Sequence, residues 1–106
     1  MLPRSSRLPY SELNARGYRT IRTPYFSLKI RTNSLPRNRI GVVIGVAAEK
    51  SAVRRNFWKR QAKAILGKQP VGSGASAGKD FVVIFSKKIK EITKDVFEGE
   101  ILKTLS

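Results

Sequence analysis

Apolar and polar positions alternate with the period of a strand from Arg39 to Val46. Ile40, Val42, Ile44 and Val46 share one face, and Gly41, Val43 and Gly45 the other, so the first set predicts a core face. Glycine weakens a strand and marks close approach by another backbone or a ligand. Here close packing by a helix ranks ahead of direct ligand contact. Tyr18–Ile30 is rich in Thr, Ile, Tyr and Phe, and Pro24 divides it. This predicts a short strand before the proline and a longer one, Tyr25–Arg31, after it. Asp80–Phe85 is apolar on both faces, which predicts a strand interior to the sheet.

The helical period takes over between the strands. Ser51–Leu66 reads as the main helix, with Ser51 as N-cap, Lys63 in the last turn and Gly67 as the C′ stop. A last helix starts near Thr93, a suitable N-cap, and runs to about Leu105. Val96, Phe97, Ile101 and Leu105 form its apolar stripe. Near the N-terminus, Pro9 suits a first turn, Ser11–Arg16 continues for about two turns, and Gly17 ends it. Residues 32–38 and 69–78 have loop composition. The order αβββαβα predicts an α/β (α+β) two-layer sandwich with a mixed four-stranded sheet, as one domain over residues 1–106.

Charge narrows the function. The chain has 22 Lys+Arg against 7 Asp+Glu, a net charge of +15. Seventeen of the basic residues and only two acids, Glu12 and Glu49, fall within residues 1–79, whereas residues 80–106 are neutral. Excess charge of this size repels itself unless a partner neutralises it, and a polyanion does so through its phosphates. The longest apolar run, Ile40–Ala48, is far short of the roughly 20 residues that span a bilayer. No hydrophobic stretch marks the N-terminus as a signal peptide, so the expectation is a cytoplasmic protein that binds nucleic acid and no membrane.

The same counts exclude much chemistry. With no His and no Cys, neither a Ser/His/Asp set nor a thiolate metal site can form. Gly74–Lys79 is one residue short of a P-loop, is followed by Asp80, and precedes a strand where it should follow one. Glu91, Asp95 and Glu98 sit at helical spacing beside Lys90 and Lys94 and read as a solvated face. Asp80 reads as a strand-end cap, with ordering of a hydrated cation as the second option.

The main helix carries the strongest signal. At about 100° per residue from Val53, the residues Arg55, Lys59, Lys63, Asn56 and Arg60 share an arc of about 140°. Val53, Phe57, Trp58, Ala62 and Ile65 fall on the opposite side. Arg54 lies inside the apolar arc, where it snorkels or caps the sheet edge. The basic arc holds no acid that could relieve its repulsion at i,i+4. Arg matches phosphate bidentately, Lys acts as a point charge, and Asn adds a donor and an acceptor.

Lys50-Ser-Ala-Val-Arg-Arg-Asn-Phe-Trp-Lys-Arg-Gln-Ala-Lys63 resembles the signature of the bacterial ribonuclease P protein component. Ala52-Val53, Arg55-Asn56 and Lys59-Arg60 match it in type and spacing. Tyr25-Phe26-Ser-Leu, Arg39-Ile-Gly-Val and Asp80-Phe-Val-Val-Ile fall in the family's order around it. Lys63 stands where the family usually has Arg. Val46-Ala47-Ala48 replaces a basic pair usual after the third strand.

The resemblance implies a ribosomal protein S5 domain 2-like fold with a left-handed βαβ crossover, against the usual hand. It implies a protein subunit, monomeric in its complex, that binds the catalytic RNA of ribonuclease P and assists endonucleolytic 5′ maturation of precursor tRNA. The RNA would supply the active site and bind most of the Mg2+. Arg54, Arg55, Asn56, Lys59, Arg60 and Lys63 would contact that RNA. Tyr10, Phe26, Lys29 and Lys50 would line the path of the single-stranded leader, where aromatic faces stack on unpaired bases. For Phe26 core packing is an equal alternative, and for Trp58 it is the preferred one. The competing reading is a small basic ribosomal or other structural RNA-binding protein; a DNA-binding architectural protein ranks third.

Overall fold

A computed structural model describes residues 7–9, 12–13, 16–33, 35–69 and 78–105. Four strands form one sheet: β1 (Arg19–Arg22), β2 (Phe26–Thr32), β3 (Arg39–Val43) and β4 (Lys79–Phe85). Helix α1 (Ala52–Gly67) joins β3 to β4, and α2 (Lys94–Leu105) follows β4. The strand order is β1-β2-β4-β3. β4 pairs antiparallel with β2 and parallel with β3, so the sheet is mixed and its most apolar strand is interior. β3, α1 and β4 therefore make a βαβ unit between neighbouring strands.

Both helices cover one face of the sheet. Phe26, Leu28 and Ile30 of β2 bury alternate positions there, as do Phe81, Val83 and Phe85 of β4. They meet Trp58, Ala62, Ile65 and Leu66 of α1 and Phe97 and Ile101 of α2. Four aromatic rings hold the centre: Phe97 stands edge-on to Phe26 at 5.4 Å and to Trp58 at 5.3 Å, and packs on Phe85 at 5.3 Å. Edge-to-face pairs add about 0.5–1.5 kcal/mol each beyond their burial.

Several boundaries differ from the sequence expectation. β3 ends at Val43, and Val46 is 62% exposed instead of facing the core. The Gly45 carbonyl accepts from the N–H groups of Ala48 and Glu49, so the chain turns toward α1 before Val46 can join the sheet. Val96 is 45% exposed, because Phe97 and Ile101, one turn apart, already fill the space under α2. Gly67 is the last residue of α1, and Lys68, still in the αR region, is the cap. A short 3₁₀ helix, Lys87–Glu91, follows β4 where the sequence gives no periodic signal.

The second sheet face has its own close contact. Gly41, Val82, Lys29 and Thr20 lie side by side across the four strands on that face. A Cβ on Gly41 would run into the Leu13 side chain and touch Leu8 at 3.2 Å. The close approach expected at this glycine is real, and the N-terminal segment makes it. Residues 7 and 8 also extend the sheet: Arg7 bridges Ile40 in parallel, and the Leu8 N–H donates to the Ile40 carbonyl. Most of the expected first helix, Tyr10 included, lies outside the described residues. Gly17 has φ of +93°, in the left-handed region that glycine adopts without strain.

Candidate nucleic-acid interface

The cationic helix begins as its sequence dictates. Ser51 Oγ accepts from the Arg54 N–H at 3.3 Å, satisfying a donor that the first turn leaves open. Glu49 reinforces this end. Its carboxylate accepts from the Ser51 N–H at 3.1 Å and from Arg54 Nε at 3.2 Å. The Ser51 hydrogen bond, ahead of the Arg54 contact, holds the Glu49 carboxyl below its ordinary pKa despite the opposing effect of burial. Arg54 therefore neither snorkels nor caps the sheet; its half-exposed side chain is tied to Glu49.

The buried side of α1 is rotated relative to the expected one. Its buried residues are Trp58, Ala62, Ile65 and Leu66, whereas Val53 is 76% exposed. The first turn, Ala52–Arg54, is wholly exposed, so it stands clear of the core and offers Val53 nothing to pack against. The rotation divides the basic arc in two. Arg55, Lys59 and Lys63 form a half-buried flank. Asn56 and Arg60 form an exposed outer ridge. Arg55 Nη1 donates to the carbonyls of Glu49 and Lys50, both at 2.9 Å, which fixes the plane of its guanidinium.

Lys59 and Lys63, one turn apart, open onto a groove of about 220 Å³ between α1, the β3 edge and the N-terminal segment. Its other walls are Arg7, Leu8, Leu13, Ile40, Gly41 and Val42. Three cations from two elements thus surround an apolar floor, with no acidic side chain in the lining. Arg7 is a residue that sequence reasoning missed, since only its parallel bridge to Ile40 brings it there.

Of the residues expected along the leader path, Phe26 and Lys29 face opposite sides of the sheet. Phe26 is 1% exposed and belongs to the aromatic core, so it is not available for stacking. Lys29 is half-buried on the opposite face of the sheet from α1. Lys50 is exposed in the segment leading into α1. Tyr10 lies outside the described residues.

A buried ionic node sits at the end of the sheet remote from the 3₁₀ helix. Arg31, Asp80 and Arg39 are direct neighbours across β2, β4 and β3. Arg31 Nε reaches Asp80 Oδ2 at 2.9 Å; Arg39 Nε and Nη2 reach Oδ1 and Oδ2 at 2.9 and 2.8 Å; and Asn33 Nδ2 donates to Oδ1 at 2.8 Å. Burial alone would raise the Asp80 pKa, but these hydrogen bonds outweigh it and hold the group ionised below its ordinary value. Arg31 also pairs with Glu12 and lies over the Tyr18 ring at 4.6 Å, which joins the N-terminal segment to β2. Both Asp80 oxygens are therefore committed to Arg and Asn donors, a poor setting for the hydrated cation that the sequence left open. Arg31 and Arg39, counted in the basic excess, are occupied within the protein.

No helix among the described residues is long and apolar enough to cross a membrane. The "Ribonuclease P" family model matches residues 5–106. A search of curated proteins gives no significant match. Among solved structures, the Staphylococcus aureus RNase P protein superposes with a TM-score of 0.76 at 18% identity, covering 94% of this chain and 92% of that one. The RNase P protein from Thermotoga maritima gives 0.70 at 24% identity, with 93% and 94% covered. The T. maritima protein in complex with 1-(4-fluorophenyl)-2-thiourea gives 0.64 at 26%, with 83% of each chain covered. With nearly its whole length matched by the family model and its sheet and helices arranged as in those structures, the chain belongs to the ribonuclease P protein family, the RNA-binding protein subunits that serve tRNA 5′ processing.

Proposed function

We propose that α1 docks on the catalytic RNA of ribonuclease P, and that this RNA carries out the phosphodiester hydrolysis. The carrying observation is the run of Arg55, Asn56, Lys59, Arg60 and Lys63 along α1 with no acid among them, beside a groove that Arg7 closes. Arg60 and Asn56 on the outer ridge meet phosphate and sugar. Arg55, Lys59 and Lys63 neutralise a second strand of backbone along the groove, and Arg54 contributes at the first turn. Precursor tRNA is the substrate of the assembly, with Lys29 and Lys50 as cations near its leader. Mg2+ is held mainly by RNA phosphates. The protein acts in the cytoplasm as one copy per complex.

The test is reconstitution. The purified chain is added to the ribonuclease P RNA of its own organism at low Mg2+, with precursor tRNA as substrate. The expected result is a gain in 5′ leader cleavage over the RNA alone. No gain, with the protein folded, overturns the proposal.

A further inference from the structure

The segment after β4 carries a second concentration of cations that the first does not explain. Lys87, Lys88 and Lys90 fall within five residues of 3₁₀ helix, and all three are exposed. The only acid in that helix is Glu91. The neutral sum over residues 80–106 hides this, because the acids Asp95, Glu98 and Glu100 lie farther on, in α2.

The segment is also held rigidly. The Ser86 N–H donates to the Tyr25 carbonyl at 3.0 Å, and Ser86 Oγ donates to the Pro24 carbonyl at 2.7 Å. The same oxygen accepts from the Lys88 N–H at 3.3 Å, capping the turn. Ile89 is completely buried in the core and anchors the middle of the helix. With Ile89 pointing inward, Lys87, Lys88 and Lys90 must point out. A preformed array loses less conformational entropy on binding than lysines on a mobile tail.

Its position joins it to α1. Lys90 is close enough to the Glu49 carboxylate to favour its ionised form, and Glu49 sits under the first turn of α1 between Ser51 and Arg54. Glu49 is buried and its hydrogen bonds go to Ser51 and Arg54, so it makes no ion pair with any of the three lysines and offsets only part of the Lys90 charge. Lys50 and Arg54, both exposed, flank the same point.

We infer that Lys87, Lys88 and Lys90 form a second surface for RNA phosphates, which extends the α1 interface past the helix start. This rests on the reading of α1 as the RNA-binding helix, and the partner is the same catalytic RNA. The expected contacts are Lys to phosphate, independent of base sequence.

The Lys87→Gln/Lys88→Gln/Lys90→Gln variant tests it by binding to ribonuclease P RNA across a salt series. Affinity is expected to fall roughly tenfold, with the log-log salt slope smaller by about two. Lys103→Gln, on α2, is the control and is expected to bind as the parent does. Unchanged affinity and slope in a folded triple variant overturn the inference. If Arg60→Ala binds more weakly while the triple variant does not, this inference fails and the role of α1 stands; if neither loses affinity, the α1 reading fails as well. Should the triple variant not fold, a single Lys88→Cys change decides, since the chain has no other cysteine to react. A photo-crosslinker attached there is expected to join the RNA in the complex; no crosslink, with one obtained from Arg60→Cys, overturns the inference.

Discussion

Arg39 holds Asp80 by two points, Nε to Oδ1 at 2.9 Å and Nη2 to Oδ2 at 2.8 Å, and the carboxylate it grips is completely buried. Arg31 takes the same carboxylate from the other neighbouring strand. The pairing lies across the line where β2, β4 and β3 meet, so it fixes three strands at one end of the sheet. Removing one member of such a group leaves the others buried without compensation. Asp80→Asn is therefore expected to cost about 3–5 kcal/mol, measured as a shift in the urea midpoint at neutral pH.

The same node sets a pH dependence. Asp80 and Glu49 both have folded pKa values below their ordinary ones. In acid the unfolded chain therefore takes up protons first. The stability they contribute is fully present above the ordinary carboxylate range and is lost as pH falls through the lowered folded values. Urea midpoints measured from pH 7 down to pH 3 are expected to fall, and the Asp80→Asn variant is expected to show a shallower fall. Equal slopes would mean that Asp80 does not titrate differently in the two states.

Gly78 lies against the loop before β3. Its N–H donates to the Leu35 carbonyl at 2.7 Å, and its own carbonyl accepts from the Asn33 N–H. A Cβ there would overlap the Arg37 carbonyl oxygen and approach that of Leu35 to 2.6 Å. Both obstacles are backbone and cannot rotate away. Gly78→Ala is expected to destabilise by about 1–3 kcal/mol. Gly41→Ala is expected to cost less, because the Leu13 side chain in its way can move. Thermal melts of the two variants side by side check the order.

Phe26 offers a direct test of its assignment to the core. It is buried against Phe97, on the helix-covered face of the sheet. Phe26→Leu is expected to lower the melting temperature through lost packing and the lost ring pair. The variant's preference for precursor tRNA with longer leaders over shorter ones is expected to match the parent's. A selective loss of leader dependence, without loss of stability, would return Phe26 to the leader path.

Much of the fold was legible because periodicity and punctuation agreed. Pro24 separates β1 from β2, Ser51 caps α1, and the doubly apolar Phe81–Phe85 run occupies one of the two inner strands. What escaped were features set by tertiary placement. Val53 has the right spacing for a buried position, yet it falls in a turn with nothing above it. Arg31, Arg39 and Asp80 are far apart in sequence, and only strand register brings them together. Arg7 reaches the groove through a bridge to an edge strand that no local pattern signals. The basic arc of α1 was legible, but its division into a groove flank and an outer ridge depends on how the helix is rolled on the sheet.

That roll gives Arg55 and Arg60 different tasks and so different mutant signatures. Arg60 is exposed, so Arg60→Ala should weaken RNA binding, reduce the salt slope by about one, and leave stability within about 0.5 kcal/mol of the parent. Arg55 is half-buried and spends Nη1 on the Glu49 and Lys50 carbonyls, leaving Nε and Nη2 for phosphate. Arg55→Ala should reduce the slope similarly and also cost about 1 kcal/mol or more of stability, because two carbonyls lose their donor. Arg55→Lys keeps the charge but not the fork, so it should restore most of the slope while losing part of the affinity. Salt-dependent binding and urea melts on the three variants separate these outcomes. Identical stability for Arg55→Ala and the parent would show that the guanidinium does not anchor the start of α1.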